Sequence, residues 1–186
     1  FSQEGSQDSV IKHEVRAVWI TTVNGLDWPK STDSAEQERS LREIVVKLHA
    51  AHFNTIFFQV RGRGDALYRS SLEPWSDVLT GTLGKDPGWD PLQFVIEEAH
   101  ARAMEVHAWF NTFYVRSGKG EIPLSKPRHV VLEHPDWTVN AEGQSWLDPG
   151  IPSVGNYLVN VGMEIVRKYD VDGIQFDFMR YPGMQF

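Results

Sequence analysis

The residue best placed to do chemistry is an aspartate near the end of the chain, Asp177. It follows the short run GIQF (173–176), which in turn follows a helical pattern ending near Lys168. An acid at the C-terminal end of a strand stands where parallel α/β sheets and barrels keep their reactive groups. A carboxylate there could act as a nucleophile or stabilise developing positive charge. Alternatively, Asp177 could cap the next turn by accepting hydrogen bonds from backbone amides.

Further polar and aromatic side chains lie near the predicted strand ends. Arg61 and Arg63 could bind the carboxylate of a ligand. Each could instead form an internal ion pair with Asp65 or Asp177. His107 could be a general base or a hydrogen-bonded interior histidine. Aromatic rings can stack on sugar faces or fill the core, and amides can bond hydroxyls. The remaining candidates for substrate contact are Trp28, Asp65, Trp109, Asn111, Tyr114, Gln175, Arg180 and Tyr181.

Strand and helix patterns alternate along the chain and position these residues. Runs rich in β-branched and aromatic residues predict strands over 14–22, 54–61, 105–111 and 172–177. Apolar residues at helical spacing predict helices over 34–53, 91–103 and 153–168. Pro91 opens the second helix, and Ser153 is the expected N-cap of the third. Strands joined by helical crossovers imply a parallel sheet with right-handed connections.

The polar residues fall on one face of this sheet and at one edge. Alternation puts apolar residues on the face toward the helices and more polar ones on the other. The polar face carries Gln59 and Arg61, then His107, Trp109 and Asn111, then Gly173, Gln175 and Asp177. The connections that leave the C-terminal strand ends are much longer than those that return. Long loops at that edge are what a (β/α) barrel uses to build a site.

Composition excludes several classes of protein. The 186 residues are 41% hydrophobic, enough for one domain, and show no internal repeat or linker. A net charge of −7 argues against nucleic-acid binding. There is no cysteine and no complete metal or phosphate motif, so we expect no cofactor. No apolar run approaches the ~20 residues that span a bilayer.

The first residues suggest export. The chain begins without Met, and residues 1–13 are polar and rich in Ser and Gln. We predict a flexible N-terminal segment, as at the start of a processed mature protein or at an expression boundary.

Long ordered motifs resemble the glycosyl hydrolase-like family 10, (β/α)8-barrel glycosidases of bacterial envelopes. The motifs are EVRAVWITTVNGLDWP (14–29), FNTIFFQVRGRGDALYRSSLEPWSDVLTG (53–81), KDPGWDPL (85–92), EVHAWFN (105–111), HPDW (134–137), LDPG (147–150) and YDVDGIQFD (169–177). The resemblance covers nearly everything after His13. In one place the chain departs from the family: members commonly have two adjacent acids after this strand, whereas Phe178 follows Asp177 here.

The resemblance implies a fold and a reaction. The expected fold is a TIM-type barrel of which residues 14–186 hold about the first four β/α units. Glycoside hydrolysis needs two carboxyl groups, ~5–5.5 Å apart for retention or ~6.5–9.5 Å for inversion. Asp177 is the expected first carboxylate, and in such barrels the partner acid follows a fifth strand. Within the chain, Asp65 and Asp27 are the weaker candidates: Asp65 favours an arginine partner, and Asp27 could bind a sugar hydroxyl.

We therefore predict a glycosidase acting on an envelope or extracellular polysaccharide, with peptidoglycan glycan strands as the substrate that the resemblance implies. Two alternatives stay open: a non-catalytic carbohydrate-binding protein and a structural envelope protein on a barrel scaffold. We expect a periplasmic, outer-membrane-associated or extracellular location, with a lipid anchor possible on the precursor. The partners expected are the polysaccharide and the second half of the barrel or other envelope proteins. The 186 residues alone are expected to be inactive.

Overall fold

A four-stranded parallel sheet carries the fold of the residues that the computed structural model describes, 14–118 and 121–181. Strands and helices are numbered in chain order. The strands are β1 (Ala17–Ile20), β2 (Thr55–Arg61), β3 (Glu105–Asn111), β4 (Tyr114–Ser117), β5 (Thr138–Ala141), β6 (Gln144–Leu147) and β7 (Gly173–Asp177). The helices are α1 (Ser34–Ala50), α2 (Asp77–Thr80), α3 (Pro91–His100), α4 (Val130–Glu133) and α5 (Pro152–Lys168). The predicted flexible segment 1–13 lies outside the described residues.

The parallel sheet has the order β1-β2-β3-β7, and α1, α3 and α5 connect its strands. Four parallel strands with helical crossovers are half the strand count of a (β/α)8 barrel. All four strands and three long helices were predicted, with ends that differ by a few residues.

Local sequence signals explain where the helices begin. Asp33 accepts a hydrogen bond from the backbone N–H of Glu36 and caps α1. Asp90 caps α3 in the same way, with Pro91 at the first helical position. The predicted N-cap of α5 is wrong, because this helix begins at Pro152, before Ser153, and has no side-chain cap. Proline suits a first turn because its missing N–H would have no helical partner there.

The two faces of the sheet differ in the way that alternation predicted. The outer face packs under the helices and is apolar. Ile56, Phe58, Val106, Ala108 and Phe110 are fully buried there, whereas Phe176 on the edge strand β7 is 46% exposed. On the inner face Trp19 stacks on Phe57 with ring centroids 4.6 Å apart and meets Trp109 edge-on at 4.8 Å. Trp19 remains 46% exposed. The helices therefore cover the outer face alone, and the inner aromatic row is partly open.

A second, antiparallel sheet lies between β3 and α5, in a segment predicted as loop. Its order is β4-β6-β5, and each strand has four residues. Glu142 and Gly143, at φ 51° and 77°, form the two-residue turn between β5 and β6. Such a turn needs positive φ at both positions, which Asn-Gly signals more clearly than Glu-Gly does. Short strands and an atypical turn explain why the pattern was missed. We call this three-stranded sheet the insert sheet.

In the ranges 14–118 and 121–181, no helix is long and apolar enough to cross a bilayer.

Candidate functional site

Asp177 lies half-buried at the C-terminal edge of the parallel sheet. It is in register with Asn111 of β3, and its carbonyl oxygen accepts a hydrogen bond of 2.8 Å from the N–H of Thr112. The N–H of Phe178 donates to Asp177 Oδ1 at 2.6 Å. Asp177 Oδ2 makes no hydrogen bond to any other described residue. The carboxylate thus has one oxygen held by the turn, as the capping alternative requires, and one oxygen free to act on a ligand.

The residue after Asp177 is held by aromatic side chains of the insert sheet. The Phe178 ring stacks on Tyr114 with centroids 5.2 Å apart and lies 5.6 Å from the Trp146 ring. Arg180 extends over the other side, with its guanidinium carbon 4.5 Å from the ring centroid. Tyr114 was predicted to be a sugar platform, but it is buried and its ring is already stacked. Tyr114 can therefore affect a site only through its contact with Phe178.

The prediction that Arg61 faces the site is wrong. A bulge in β2 between Gln59 and Arg61 makes Val60 the extra residue, so Arg61 pairs with Phe110 of β3. Neighbours in register share a face of the sheet. Arg61 therefore points to the outer face, where its guanidinium lies over the Phe110 ring, 4.8 Å from the centroid. It is fully buried and cannot bind a substrate carboxylate.

Arg61 instead belongs to a buried network that we name the Arg61 network: Arg61, Glu73 and Tyr157. Arg61 Nε donates to both oxygens of Glu73, at 2.8 and 2.9 Å, and the Tyr157 hydroxyl donates to Glu73 Oε1 at 2.8 Å. Arg61 Nη1 also donates to the carbonyls of Asn111 and Thr112. Burial would lower the pKa of Arg61, but the Glu73 carboxylate outweighs it and raises that pKa above its ordinary value.

The sequence reasoning missed Glu73 and Tyr157. The alternative to substrate binding was an ion pair of Arg61 with Asp65 or Asp177. Glu73 lies in an irregular loop and Tyr157 on α5, so no periodicity links them to β2. The bulge that turns Arg61 toward them had no clear signal either.

Arg63 and Asp65 form the predicted internal pair. Arg63 Nη2 lies 3.6 Å from Asp65 Oδ2 and 2.5 Å from Asp77 Oδ1. Burial lowers the pKa of Arg63, but the charges of Asp65 and Asp77 outweigh it and raise that pKa overall. The Asp65 carboxylate is buried and also accepts hydrogen bonds from the Arg63 N–H at 2.8 Å and the Ser76 hydroxyl at 2.7 Å. Asp65 is thus structural, and Arg63 is already neutralised.

Two open cavities meet at Arg63 and Asp77, above the C-terminal strand ends. One, of about 580 Å³, lies on the β1 side and is lined by Asn24, Lys30 and Thr32 among others. The other, of about 440 Å³, lies toward β4 and includes Arg116 and His129. Sites for small molecules commonly have such volumes. We call the two cavities together the Arg63 groove.

His129 ties the walls of this groove together. Its Nε2 lies 2.7 Å from the carbonyl oxygen of Arg63, and its Nδ1 accepts a hydrogen bond from the Val131 N–H. A carbonyl can only accept, so Nε2 carries the proton in a neutral ring. Burial lowers the pKa of His129, which favours this neutral form. The histidine is a structural link between loops.

The two predicted tryptophan platforms lie on opposite faces of the sheet. Trp28 is 1% exposed, packs 5.8 Å from the Phe58 ring on the outer face, and donates its Nε1–H to the Gln37 carbonyl. Its prediction as a platform is wrong because no ligand can reach it. Trp109 does lie on the inner face, half-buried against Trp19.

The remaining candidates lie near Asp177. Asn111 is buried and donates its Nδ2–H to the Gly62 carbonyl at 3.0 Å. Gln175 is half-buried on the inner face, and its Nε2–H reaches the Phe176 carbonyl at 3.2 Å. Arg180 and Tyr181 are exposed, Tyr181 by 67%. The structure therefore places Asn111 beside Asp177 and keeps Gln175 and Trp109 on the inner face. Tyr114 and Arg180 contact the next residue, Phe178, and Tyr181, four residues after Asp177, is exposed. Trp28 and Arg61 lie on the outer face.

Asp27, the other acid considered as a partner, is bound to its own turn. Its Oδ2 accepts a hydrogen bond of 2.8 Å from the N–H of Thr21. Like Asp65, it has a structural role that accounts for its position.

Similarity to known proteins agrees with this architecture. The chain is 39% identical over 189 residues to the glycosyl hydrolase DigH of Escherichia coli K12, covering 91% of the chain and 43% of DigH. It is 37% identical over 171 residues to the glycosyl hydrolase YngK of Bacillus subtilis 168, covering 91% of the chain and 34% of YngK. The chain thus spans less than half the length of either relative.

Solved structures show the same fold. An α-L-fucosidase, isoenzyme 2 of Paenibacillus thiaminolyticus, superposes with a TM-score of 0.58 at 20% identity, covering 87% of this chain and 23% of that one. Such neighbours are TIM-barrel glycosidases, and the parallel sheet agrees with part of that barrel. Residues 14–186 match the family profile of Glycosyl hydrolase-like 10. The chain therefore belongs to the glycosyl hydrolase-like family 10, as its motifs predicted, and its fold is part of a (β/α) barrel.

Proposed function

We propose that the protein is a glycoside hydrolase of an envelope or extracellular polysaccharide, with peptidoglycan glycan strands as the substrate. The observation that carries the proposal is the position of Asp177: a half-buried acid at the C-terminal edge of a barrel sheet, with Oδ2 unbonded among the described residues. Its role is that of nucleophile or electrostatic stabiliser of an oxocarbenium-like transition state. Family membership supports this reaction class.

The Arg63 groove is the proposed path of the glycan. Its lining residues follow β1 and β2 and reach β4, at the C-terminal edge of the sheet, where barrel enzymes bind substrate. Arg61 and Arg63 are neutralised by carboxylates, so neither is free to bind an acidic sugar. Arg116 lines the groove, is half-buried and makes no ion pair within the described ranges. It is the better candidate to bind a carboxylate such as a lactyl group.

The second carboxylate is proposed to follow a fifth strand of the parallel sheet, which has four strands within the described ranges 14–118 and 121–181. Asp65 has both carboxylate oxygens held by internal hydrogen bonds. Asp27 follows β1, at the opposite end of the strand order from β7 and Asp177, so neither acid is proposed as the partner. We expect the chain alone to be inactive, and we propose that the protein is exported to the envelope or outside the cell.

The test is hydrolysis of defined glycan strands by the protein at its full natural length, measured as release of reducing ends. Asp177→Asn should lower kcat at least about a hundredfold, because removal of a reacting carboxylate costs that much or more. Asp170→Asn is the matched control, since its side chain is 96% exposed on the approach to the same strand, and it should leave the rate unchanged.

A non-catalytic carbohydrate-binding protein is the second candidate. It is favoured by Phe178, which stands where the family commonly has a second acid. Glycan binding without reducing-end release, together with no effect of Asp177→Asn on binding, would establish this alternative. Tyr181→Ala should then weaken binding, because Tyr181 is the most exposed ring near Asp177. If no glycan binds at all, the structural alternative holds.

A further inference from the structure

The turn that follows Asp177 has a strained backbone. Phe178 has a φ of 52°, in the left-handed region that residues with a Cβ rarely adopt. Such a conformation is unfavourable and persists only where the surroundings enforce it. Glycine would adopt it freely. A phenylalanine at this position therefore implies that the contacts of its ring offset the unfavourable free energy of the strained backbone.

The insert sheet supplies those contacts. Tyr114 begins β4, and its ring is nearly parallel to that of Phe178, at an interplanar angle of 27°. Trp146 of β6 contacts both rings, with centroids 5.4 Å from Tyr114 and 5.6 Å from Phe178. Tyr114 and Trp146 are 8% and 4% exposed, so they form a fixed surface. Phe178 is enclosed on this side and covered by Arg180 on another. We call Tyr114, Trp146 and Phe178 the aromatic clamp.

The backbone of the clamped residue holds the carboxylate. The N–H of Phe178 donates to Asp177 Oδ1 at 2.6 Å. The Phe178 carbonyl accepts a weaker bond of 3.4 Å from the N–H of Phe113, next to Tyr114 in the chain. The carboxylate orientation and the insert sheet are thus coupled through one residue.

We propose that the aromatic clamp is a positioning device: the insert sheet holds Phe178 in the left-handed turn and so fixes the orientation of Asp177. The catalytic meaning of this positioning rests on the proposed function. The geometric claim does not, because it concerns the Phe178 N–H and the Asp177 carboxylate alone. The inference assigns a purpose to β4–β6, which contribute no reacting group, and to the ring that stands in place of the second acid.

Amide hydrogen exchange at Phe178, followed by NMR, tests the geometric claim in the protein at its full natural length. In the unmodified protein the Phe178 amide should be protected by its bond to Asp177. Tyr114→Leu removes the stacking partner, and exchange at Phe178 should accelerate at least about tenfold through local opening. Phe178→Gly removes the ring but allows the turn, and should give the same acceleration at residue 178. Because this change keeps the Tyr114 and Trp146 rings, which contact each other directly, it stays informative if Tyr114→Leu unfolds the insert sheet.

The matched control is Trp137→Leu, which removes an aromatic ring that stacks on His134 at 3.6 Å and does not belong to the clamp. It should leave exchange at Phe178 unchanged. Unchanged exchange in Phe178→Gly and Tyr114→Leu would overturn the proposal.

Kinetics with a glycan substrate give the catalytic consequence. Tyr114→Leu and Phe178→Gly should lower kcat about tenfold or more with little change in KM, because a misoriented carboxylate weakens the transition state rather than substrate binding. A fall confined to KM would instead make the clamp a substrate-binding surface and would overturn the positioning role. If the unmodified protein hydrolyses no glycan, the proposed function fails, while hydrogen exchange still decides whether the clamp holds Asp177.

Discussion

Two charged residues at strand ends, Arg61 on β2 and Asp177 on β7, occupy opposite environments. Arg61 points to the outer face, is completely buried, and pairs its guanidinium with Glu73 and two backbone carbonyls. Asp177 remains half-buried, with one oxygen bonded by a backbone N–H and the other unbonded among the described residues. The same edge of the sheet thus carries a charge that stabilises the fold and a charge that is available for chemistry.

A single inserted residue produces this difference. Without the bulge at Val60, alternation would put Arg61 on the inner face with Gln59. With the bulge, Arg61 lies on the outer face and donates a hydrogen bond to the carbonyl of Asn111, the last residue of β3. Arg61 also donates to the carbonyl of Thr112, and the N–H of Thr112 donates to the carbonyl of Asp177. Arg61 is thus linked to the backbone of Asp177 through one residue. A polar residue at a strand end can thus hold the backbone beside a site although its side chain points to the opposite face of the sheet.

The largest expected effect breaks the structural side of this comparison. Glu73→Gln leaves the buried charge of Arg61 without its counter-ion and should lower the free energy of unfolding by about 3–5 kcal/mol. Urea denaturation followed by circular dichroism measures this loss. Asp177→Asn, the control on the open side, should stay within about 0.5 kcal/mol, because an amide oxygen can still accept the Phe178 N–H bond. Equal losses of unfolding free energy in the two variants would show that the Glu73 carboxylate contributes no more to stability than the Asp177 carboxylate does.

A smaller effect should appear on the inner face, below Asp177. A Cβ added to Gly173 would lie 2.6 Å from Nδ1 of the His107 ring, which packs directly over this glycine. Gly173→Ala should therefore lower the free energy of unfolding by about 1–3 kcal/mol, the usual cost of overpacking. The double variant with His107→Ala should recover part of that loss, and a double-mutant cycle measures the coupling. Strict additivity would show that the ring and the glycine are not in contact in solution.

The smallest effect concerns the loops between the two regions and depends on pH. His129 is neutral and its folded-state pKa is lowered by burial, so the unfolded chain takes up its proton first as the pH falls. Stability should therefore decline as the pH falls from about 6.5 toward the folded-state pKa, by at most about 1.4 kcal/mol per pH unit for one proton.

Comparison with His129→Gln isolates this contribution, because glutamine can donate to the Arg63 carbonyl but does not titrate. Denaturation midpoints measured across this pH range should fall less steeply in the variant. Parallel pH profiles for the two proteins would contradict a neutral, buried His129.

Much of the scaffold was predictable because its signals are local. Alternation along β3 correctly separated Val106, Ala108 and Phe110 from His107 and Trp109. Strand order along the chain, helical crossovers and long loops at one edge were enough to predict a parallel barrel sheet. The motifs identified the family. The position of Asp177 at a strand end could be predicted from the apolar run before it alone.

The site residues were less predictable because their environments depend on contacts distant in sequence. Trp28 looked like Trp109 in sequence, yet one fills the outer core against Phe58 and the other lies on the inner face. Tyr114 and Phe178 meet only through the insert sheet, whose short strands and Glu-Gly turn carry a weak pattern. The partner of Arg61 came from an irregular loop.

By itself, then, the sequence determined the sheet, its helices, the family and the acid at the end of β7, because each follows from periodicity, local turn chemistry or a long motif. Only the tertiary structure decided which charges are neutralised, which rings are buried and what holds Asp177 in place. The physical reason is that burial, ion pairing and ring stacking depend on which distant residues meet. A bulge of one residue is enough to move a side chain from one face of a sheet to the other.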